Sequence, residues 1–482
     1  MSLFKNTLLY VAVGFLPVAA NFFLAPIYTK YLNPDEYALI GLATLFQTFL
    51  TFFLSLSLDS AFSRIYFQYE KKYKLKYALL SSLLLSVIII SILVMALLFF
   101  GGNWVFSQVF TNKEFRFTNF GYWVVIITFS NIIFLFFAIL YRNEENTKKF
   151  ILVNLLFFFI PVIGTLTGLI YYENGALGAI IGRATGSLLF IIALLFFFFK
   201  KYQPSFKLSY VKMALKFSLP IIPYQLMFAG FSNIDRFVLE RNFTPHDFGV
   251  YNFAVMVTGV IPVFLNALGN ATNPRIFRLL TDGTKPEIVK RINYLSIFIS
   301  TALVCVCIAT VVPVMRLVIN KEYSDSYVYI GTLFMSFLFY IHYLVYNIPL
   351  FFFSKTKIFP VIAFCALMAG IIFNLIFIDL LGIWSVCLSL YLIRLVQGLV
   401  AYIYIRYYKF HSFVYIKHPE ALTATFIIII VFNALLFLHF KYNISSIEII
   451  NLSPLLVFII AAPFLYRSEV LFLSQKIFKI RI

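Results

Sequence analysis

Tyr31-Leu-Asn-Pro34-Asp-Glu-Tyr37 returns 211 residues later as Asn242-Phe-Thr-Pro245-His-Asp-Phe248. Each of the two stretches precedes a long apolar run. A repeat with one constant offset divides a chain into two equivalent halves, and many membrane transporters are duplicated helical bundles of this kind. The spacing therefore predicts a duplicated membrane protein before composition is considered.

The composition indicates that almost the whole chain lies in a membrane. Of the 482 residues, 62% are hydrophobic and only 12% are charged, which leaves too little polar side chain for a water-exposed surface. About fourteen apolar runs have the length of a transmembrane helix. The sequence thus predicts an all-α polytopic membrane protein with two six-helix bundles and two further C-terminal helices. The predicted spans are 8–29, 38–58, 78–100, 119–140, 151–171, 175–199, 212–233, 248–270, 292–314, 327–353, 358–378, 381–405, 421–440 and 450–466.

The positive charge is distributed as expected for membrane topology. The net charge is +19, and 28 of the 38 Lys and Arg residues lie on alternate connections, against 8 on the other connections. Basic residues concentrate on the cytoplasmic side of membrane proteins. This alternation predicts that both termini are cytoplasmic. It also explains the positive charge by membrane topology, so that nucleic-acid binding is not needed to account for it.

The repeat predicts three parts of the chain: bundles at 1–205 and 206–412 and a helical pair at 413–482. Because six helices is an even number, both bundles enter the membrane in the same direction, which implies a pseudo-two-fold axis along the membrane normal. Several predicted helices contain proline, which is read either as a hinge or as a fixed kink. Examples are Pro17, Pro161, Pro220 and Pro223.

Enzyme motifs are missing from the sequence. It contains neither an HExxH zinc motif nor a phosphate-binding glycine loop, and no extramembrane segment is long enough to form a catalytic domain. His342 lies within a predicted helix, where a proton relay and a hydrogen-bonded structural role are both open. We expect no enzyme activity, no cofactor and no metal site.

Arg183 and Arg394 are the main candidates for ligand binding. They differ by 211 in position, and each lies alone in an apolar helix. Placing an arginine near the middle of a membrane costs about 2.5–3.5 kcal/mol on insertion scales. Two such residues predict a hydrated cationic cavity or an anionic ligand; a buried salt bridge and carbonyl capping are the alternatives. Small residues beside Arg183 predict either close helix packing or space for a cavity.

Four further charged residues are second-rank candidates. Asp235 and Arg236 point to different sides of a helix end, so they guard a cavity mouth or act as interfacial anchors. Arg64 and Arg275 are related by the repeat offset, and each ends an apolar run. They are read either as anchors that snorkel to the membrane surface or as contacts for an entering phosphate.

Two groups of residues resemble the polysaccharide-transport family. The first is Asn233-Ile-Asp-Arg-Phe-Val-Leu-Glu240, which is followed by Phe243-Thr-Pro-His-Asp-Phe-Gly249-Val-Tyr251. The second is the corresponding stretch of the first half, Tyr28-Thr-Lys-Tyr-Leu-Asn-Pro34-Asp-Glu-Tyr37, together with Leu58-Asp-Ser-Ala-Phe-Ser-Arg64. The chain is similar to the Wzx-type flippases of lipid-linked oligosaccharides, within the superfamily of multidrug and polysaccharide exporters. Ala38 departs from the pattern, because the second half has the more typical glycine, Gly249.

The resemblance implies two bundles around a cavity that opens alternately to either leaflet of a bacterial inner membrane. The implied substrate is an oligosaccharide on a polyprenyl pyrophosphate, with membrane lipid around it and an O-antigen or capsule pathway as its setting. A polysaccharide polymerase and a chain-length regulator are candidate partners, and a monomer is expected. We assign the pyrophosphate to Arg183 and Arg394. Four amide side chains are expected to bind sugar hydroxyls: Asn21, Asn233, Asn266 and Gln225.

Three alternative functions follow from the same residues. A cation-coupled multidrug exporter of the same superfamily requires carboxylates within the membrane, and the predicted helices contain none apart from Asp59 and Asp235 near their ends. A membrane glycosyl polymerase or ligase requires a large external loop, whereas the predicted external connections are short. A structural scaffold would have no use for arginines inside its bundles. The sequence therefore favours the flippase.

Overall fold

All regular structure in the described residues is helical. A computed structural model of the chain describes residues 24–69, 72–171, 174–281, 286–353, 355, 357–408, 419–442 and 447–465. Within them, eleven helices are long and apolar enough to cross a membrane. The predicted all-α polytopic fold is confirmed.

The helices divide between two compact units, residues 1–252 and 253–482. This boundary falls inside α11, so the predicted division at 205, which rests on the repeat, stays a prediction. The helices up to this boundary are α1 (24–31), α2 (Pro34–Ser55), α3 (Leu58–Ile65), α4 (Tyr73–Val109), α5 (Tyr122–Asn143), α6 (Thr147–Tyr171), α7 (Gly175–Lys201), α8 (Leu208–Ser218), α9 (Ile222–Ser232), α10 (Ile234–Asn242) and α11 (Pro245–Thr258).

The second unit contains the remaining long helices. They are α12 (Val260–Thr281), α13 (Pro286–Val318), α14 (Ser326–Phe352), α15 (Ile358–Leu381), α16 (Ile383–Tyr407), α17 (Pro419–Tyr442) and α18 (Ile447–Leu465). α14 is buried along most of its length and contacts α13, α16 and α17. In the first unit α5 has the corresponding central position, packed against α2, α6 and α7.

The repeat is visible in the bounds of the helices. Pro34 and Pro245, 211 residues apart, begin α2 and α11, and Thr147 and Ile358, also 211 apart, begin α6 and α15. α4 corresponds to α13, α5 to α14 and α7 to α16 with only small differences at their ends. The sequence repeat is therefore a repeat of helices.

The repeated stretch is a helix-start signal. The backbone N–H of Glu36 donates to Asn33 Oδ1 at 2.8 Å, and the N–H of Asn33 donates to Glu36 Oε2 at 3.2 Å. Thr244 and Asp247 form the same reciprocal pair, at 3.2 and 3.3 Å, ahead of α11. Such a capping box satisfies backbone donors that have no partner within the helix. The motif marks where each helix begins, and it does so with different side chains in the two halves.

The seventh predicted span, 212–233, is wrong as a continuous helix. It consists of α8, a 3₁₀ turn over Leu219–Ile221, and α9. Pro220 lies in the turn and Pro223 in the first turn of α9, where the missing N–H and the ring of proline interrupt an α-helix. Pro161, by contrast, lies inside an unbroken α6. Of the other predicted spans, the first lies mostly outside the described residues and the last has a shorter apolar stretch, Ile449–Ala462.

Candidate ligand-binding sites in the membrane helices

Arg183 lines a small pocket of the first unit. The pocket has a volume of about 30 Å³, and its polar lining includes Tyr28, Thr44, Gln47 and Thr165. This volume is close to that occupied by one water molecule. The half-buried guanidinium of Arg183 makes no hydrogen bond or ion pair with the described part of the chain. Of the alternatives left open by the sequence, a salt bridge to a described carboxylate is therefore excluded.

The direction of the Arg183 side chain follows from the packing of the preceding residue, Gly182, against α6. A Cβ atom at Gly182 would lie 1.9 Å from the carbonyl oxygen of Gly164 on α6, and one at Gly178 would lie 2.4 Å from that of Gly168. Only glycine allows the two backbones to approach this closely. Since successive residues of a helix point about 100° apart, Arg183 is directed away from this contact. The small residues beside Arg183 thus serve close packing.

Arg394 has a different environment in the second unit. Its guanidinium carbon lies 3.6 Å from the ring centroid of Phe337 and 6.0 Å from that of Tyr340, both on α14. Its Nη1 donates a hydrogen bond to Ser336 Oγ. An aromatic face and a hydroxyl stabilise the cation without neutralising it. The two arginines share the repeat offset but have unlike surroundings.

The charged residues of α10 do not pair with each other. Asp235 is buried and accepts a hydrogen bond from Tyr251 Oη at 2.8 Å, whereas Arg236 donates to Asn233 Oδ1 at 3.3 Å. The second carboxylate oxygen of Asp235 is buried without a hydrogen-bond partner among the described residues.

The remaining predicted site residues are dispersed. Ser57 Oγ donates to Gln225 Oε1, and the side-chain amide of Asn233 donates to the carbonyl oxygen of Ala229 at 2.9 Å. These two amides therefore already have partners within the first unit. Asn21 lies outside the described residues, whereas Asn266 lines a larger cavity among α12, α13 and α14 of the second unit.

The exposed arginines at the helix ends are not brought into either pocket. Arg64 on α3 is exposed, with its guanidinium carbon 4.7 Å from the centroid of the Phe217 ring. Arg275 on α12 is also exposed. Asp59, at the start of α3, is half-buried, and this burial raises the pKa of its carboxyl above the usual value. A hydrogen bond from the Ser60 hydroxyl to the Asp59 carboxylate lowers the pKa, but by less than burial raises it. Among the four residues at helix ends, Asp59 and Asp235 thus differ from the arginines in being withdrawn from the surface.

Glu240 has a structural role that the sequence did not reveal. Its buried carboxylate accepts hydrogen bonds from the backbone N–H of Thr111 and of Asn112, the second at 3.1 Å. The Thr111 hydroxyl lies 2.9 Å from the same carboxylate oxygen. Glu240 therefore holds the connection after α4 against the end of α10. A lone acidic residue at a helix end carries no sequence signal for such a distant contact.

Replacing Glu240 with alanine is expected to expose the connection after α4. Two backbone donors would lose their acceptor, at a cost of about 1–3 kcal/mol. Hydrogen–deuterium exchange of a peptide covering Thr111 and Asn112 should then become about 10- to 100-fold faster, because each 1.4 kcal/mol corresponds to a factor of ten. Glu114→Ala, at an exposed position of the same connection, is the control. Equal exchange in both variants would show that Glu240 does not hold this segment.

Comparison with known proteins identifies the family. The model of a family described as polysaccharide biosynthesis protein matches residues 3–280. The chain belongs to this family. It is also 24% identical to Lsg locus putative protein 1 of Haemophilus influenzae over 392 residues, which cover 77% of this chain and 90% of that protein.

Solved structures of transporters share the fold of this polysaccharide biosynthesis protein. The lipid II flippase MurJ, in an inward closed conformation, matches with a TM-score of 0.70 at 17% identity, over 96% of this chain and 100% of that one. An inward-facing multidrug resistance transporter of the MATE family matches with a TM-score of 0.67 at 14% identity, over 81% and 94% of the two chains. At such identities the likeness concerns the fold alone. The chain is a multi-pass membrane protein of polysaccharide biosynthesis with a transporter fold.

Proposed function

We propose that this protein is a flippase for a lipid-linked oligosaccharide. It moves a polyprenyl-pyrophosphate-linked repeat unit from the cytoplasmic to the outer leaflet of a bacterial inner membrane by alternating access. Arg183 and Arg394 receive the pyrophosphate. The protein acts as a monomer with both termini in the cytoplasm, and a polysaccharide polymerase and a chain-length regulator act on the product.

The observation that carries this proposal is the environment of Arg183. Arg183 belongs to a membrane-spanning helix and lines a pocket with both polar and apolar walls, and its guanidinium makes no hydrogen bond or ion pair with the described residues. A half-buried cation in a membrane helix, with no partner among the described residues, carries a free-energy cost that an anionic ligand lowers. Because the guanidinium is planar and has five N–H donors, it can replace the hydration of a phosphate with two parallel hydrogen bonds.

Arg394 complements Arg183 through the repeat. Each compact unit supplies one arginine at the same position of the repeat. The contact between Arg394 and the Phe337 ring keeps the guanidinium plane in place, and the ring leaves the positive charge of the side chain intact.

The second candidate is a cation-coupled multidrug exporter. It is favoured by Asp235, whose buried carboxylate has one oxygen without a partner among the described residues. Against it, the hydroxyl of Tyr251 already donates to the other oxygen. The structural likeness to a multidrug transporter does not separate the two candidates, because the MurJ flippase has the same fold.

Depletion in the native host tests the proposal. Lipid-linked glycans would be extracted, and their leaflet assigned by their accessibility to a membrane-impermeant glycan-modifying reagent applied to spheroplasts. The flippase predicts that complete repeat units accumulate in the cytoplasmic leaflet while surface polymer is lost. Unchanged glycan distribution together with higher sensitivity to cationic drugs would overturn it in favour of the exporter.

A further inference from the structure

A cavity lined by both polar and apolar side chains lies wholly within the second unit, among α12, α13 and α14. Its volume is about 220 Å³, and two phenylalanine rings, Phe277 and Phe351, form part of its wall. None of the described residues that line the cavity is charged. Its polar side chains are all amides and hydroxyls: Asn266, Thr272, Asn273, Asn293, Ser296, Ser300 and Asn347.

Two of these amides have an unused acceptor. Asn293 is 2% exposed and Asn347 is 8% exposed, and the side-chain carbonyl oxygen of each is buried without a hydrogen-bond partner among the described residues. A buried acceptor without a donor costs about 1–3 kcal/mol. Both residues also line the cavity, so two amides with unused hydrogen-bonding capacity belong to its wall.

The first half of the repeat shows that the fold does not require this cavity. The residues 211 positions before Asn273 and Asn347 are Phe62 and Phe136. Both phenylalanines are fully buried, and their ring centroids are 5.7 Å apart. Aromatic side chains thus occupy in one half the positions at which amides line a cavity in the other. At these two positions the amide is a feature of the second half alone.

We propose that this cavity binds one sugar residue of the transported glycan. The proposal rests on the flippase function and adds a glycan site to it. Sugar hydroxyls donate to amide oxygens and accept from amide nitrogens, and the C–H faces of the ring pack against aromatic rings such as Phe277 and Phe351. The absence of charge in the lining favours a neutral ligand over a metal cation or the pyrophosphate. The volume lies below the roughly 300–1,000 Å³ of pockets for larger ligands, which matches a single ring.

Binding of free sugars to the full-length protein in lipid nanodiscs tests the site. The probes are glucose, galactose, rhamnose and N-acetylglucosamine, each followed by saturation-transfer NMR. Asn347→Phe introduces the side chain that the first half carries at this position. Gly269→Leu fills the cavity without removing a polar group, because a Cβ there would have only Asn273 Nδ2 nearby, at 3.6 Å. Matched controls are Asn433→Phe, on α17, and Gly101→Leu, where a Cβ would meet no atom within 4 Å.

We expect at least one sugar to bind the wild-type protein and both controls, and to bind Asn347→Phe and Gly269→Leu at least tenfold more weakly. Absence of binding by all four sugars to the wild-type protein, or equal binding by cavity variants and controls, would overturn the site. An NMR signal that depends on the presence of sodium ions and not on the presence of a sugar would also overturn the site. The depletion experiment is independent: leaflet accumulation with no sugar binding rejects the cavity and keeps the flippase, whereas normal leaflet distribution rejects the flippase itself.

Discussion

Replacing Arg183 with alanine is expected to reduce outward movement of the lipid-linked glycan about 10- to 100-fold. A hydrogen bond to a charged group contributes about 1.5–3 kcal/mol, and the alanine variant would lose the pair that a guanidinium makes with one phosphoryl group. Arg183→Lys should recover only part of the activity, because an ammonium cannot form the planar fork. The measurement is the fraction of lipid-linked glycan that reaches the outer leaflet, normalised to the amount of protein in the membrane.

The control for this variant is Arg116→Ala. Arg116 is exposed on the connection before α5, where its Nε donates to the carbonyl oxygen of Lys113 at 3.1 Å. Its loss removes the same charge from the chain without touching the pocket, so transport should remain within about twofold of wild type, since surface changes have small effects. Equal transport by Arg183→Ala and Arg116→Ala would contradict the assignment of the pyrophosphate to Arg183.

Arg394→Ala is expected to lower both transport and stability. The guanidinium of Arg394 already contacts the Phe337 ring and Ser336, so its removal costs protein contacts as well as the proposed ligand contact. Arg183 makes no comparable described contact. The two variants should therefore lose similar transport, while only Arg394→Ala lowers the unfolding temperature.

Gly182→Ala is expected to disrupt the packing of α6 on α7 and to lower the free energy of unfolding by roughly 3 kcal/mol. The added Cβ would lie 1.9 Å from the carbonyl oxygen of Gly164, which belongs to the backbone and cannot rotate away. The two helices would have to separate along their contact. Thermal unfolding of the purified protein, followed by loss of the monodisperse peak in detergent, measures the effect.

Gly101→Ala is the matched control, because it makes the same change in another membrane helix, α4, at a position with open space. Its unfolding temperature should equal that of wild type or rise slightly, since alanine favours a helix by about 1 kcal/mol over glycine. A Gly182→Ala variant as stable as Gly101→Ala would mean that α6 and α7 pack less closely than the structure indicates. Reduced transport in such a stable variant would point instead to the neighbouring Arg183.

The membrane fold could be predicted well because its signals are local. A transmembrane helix is recognised from a continuous apolar run. The capping boxes that begin α2 and α11 are local too, but the predicted spans started at 38 and 248, a few residues after these helices begin. The break in the seventh helix was missed although Pro220 and Pro223 were noted, because a proline in a membrane helix leads either to a kink or to a break. Pro161 in the unbroken α6 illustrates the other outcome.

The sequence by itself determined the class of the protein, the repeat and the identity of the two intramembrane arginines. These follow from composition, spacing and the cost of a charge in lipid, which need no contact between distant residues. Only the tertiary structure decided that Gly182 packs on α6, that Glu240 holds the connection after α4, and that Asn293 and Asn347 share one cavity. Such contacts depend on the directions of side chains from helices far apart in the chain, and no short stretch of sequence encodes which helices become neighbours.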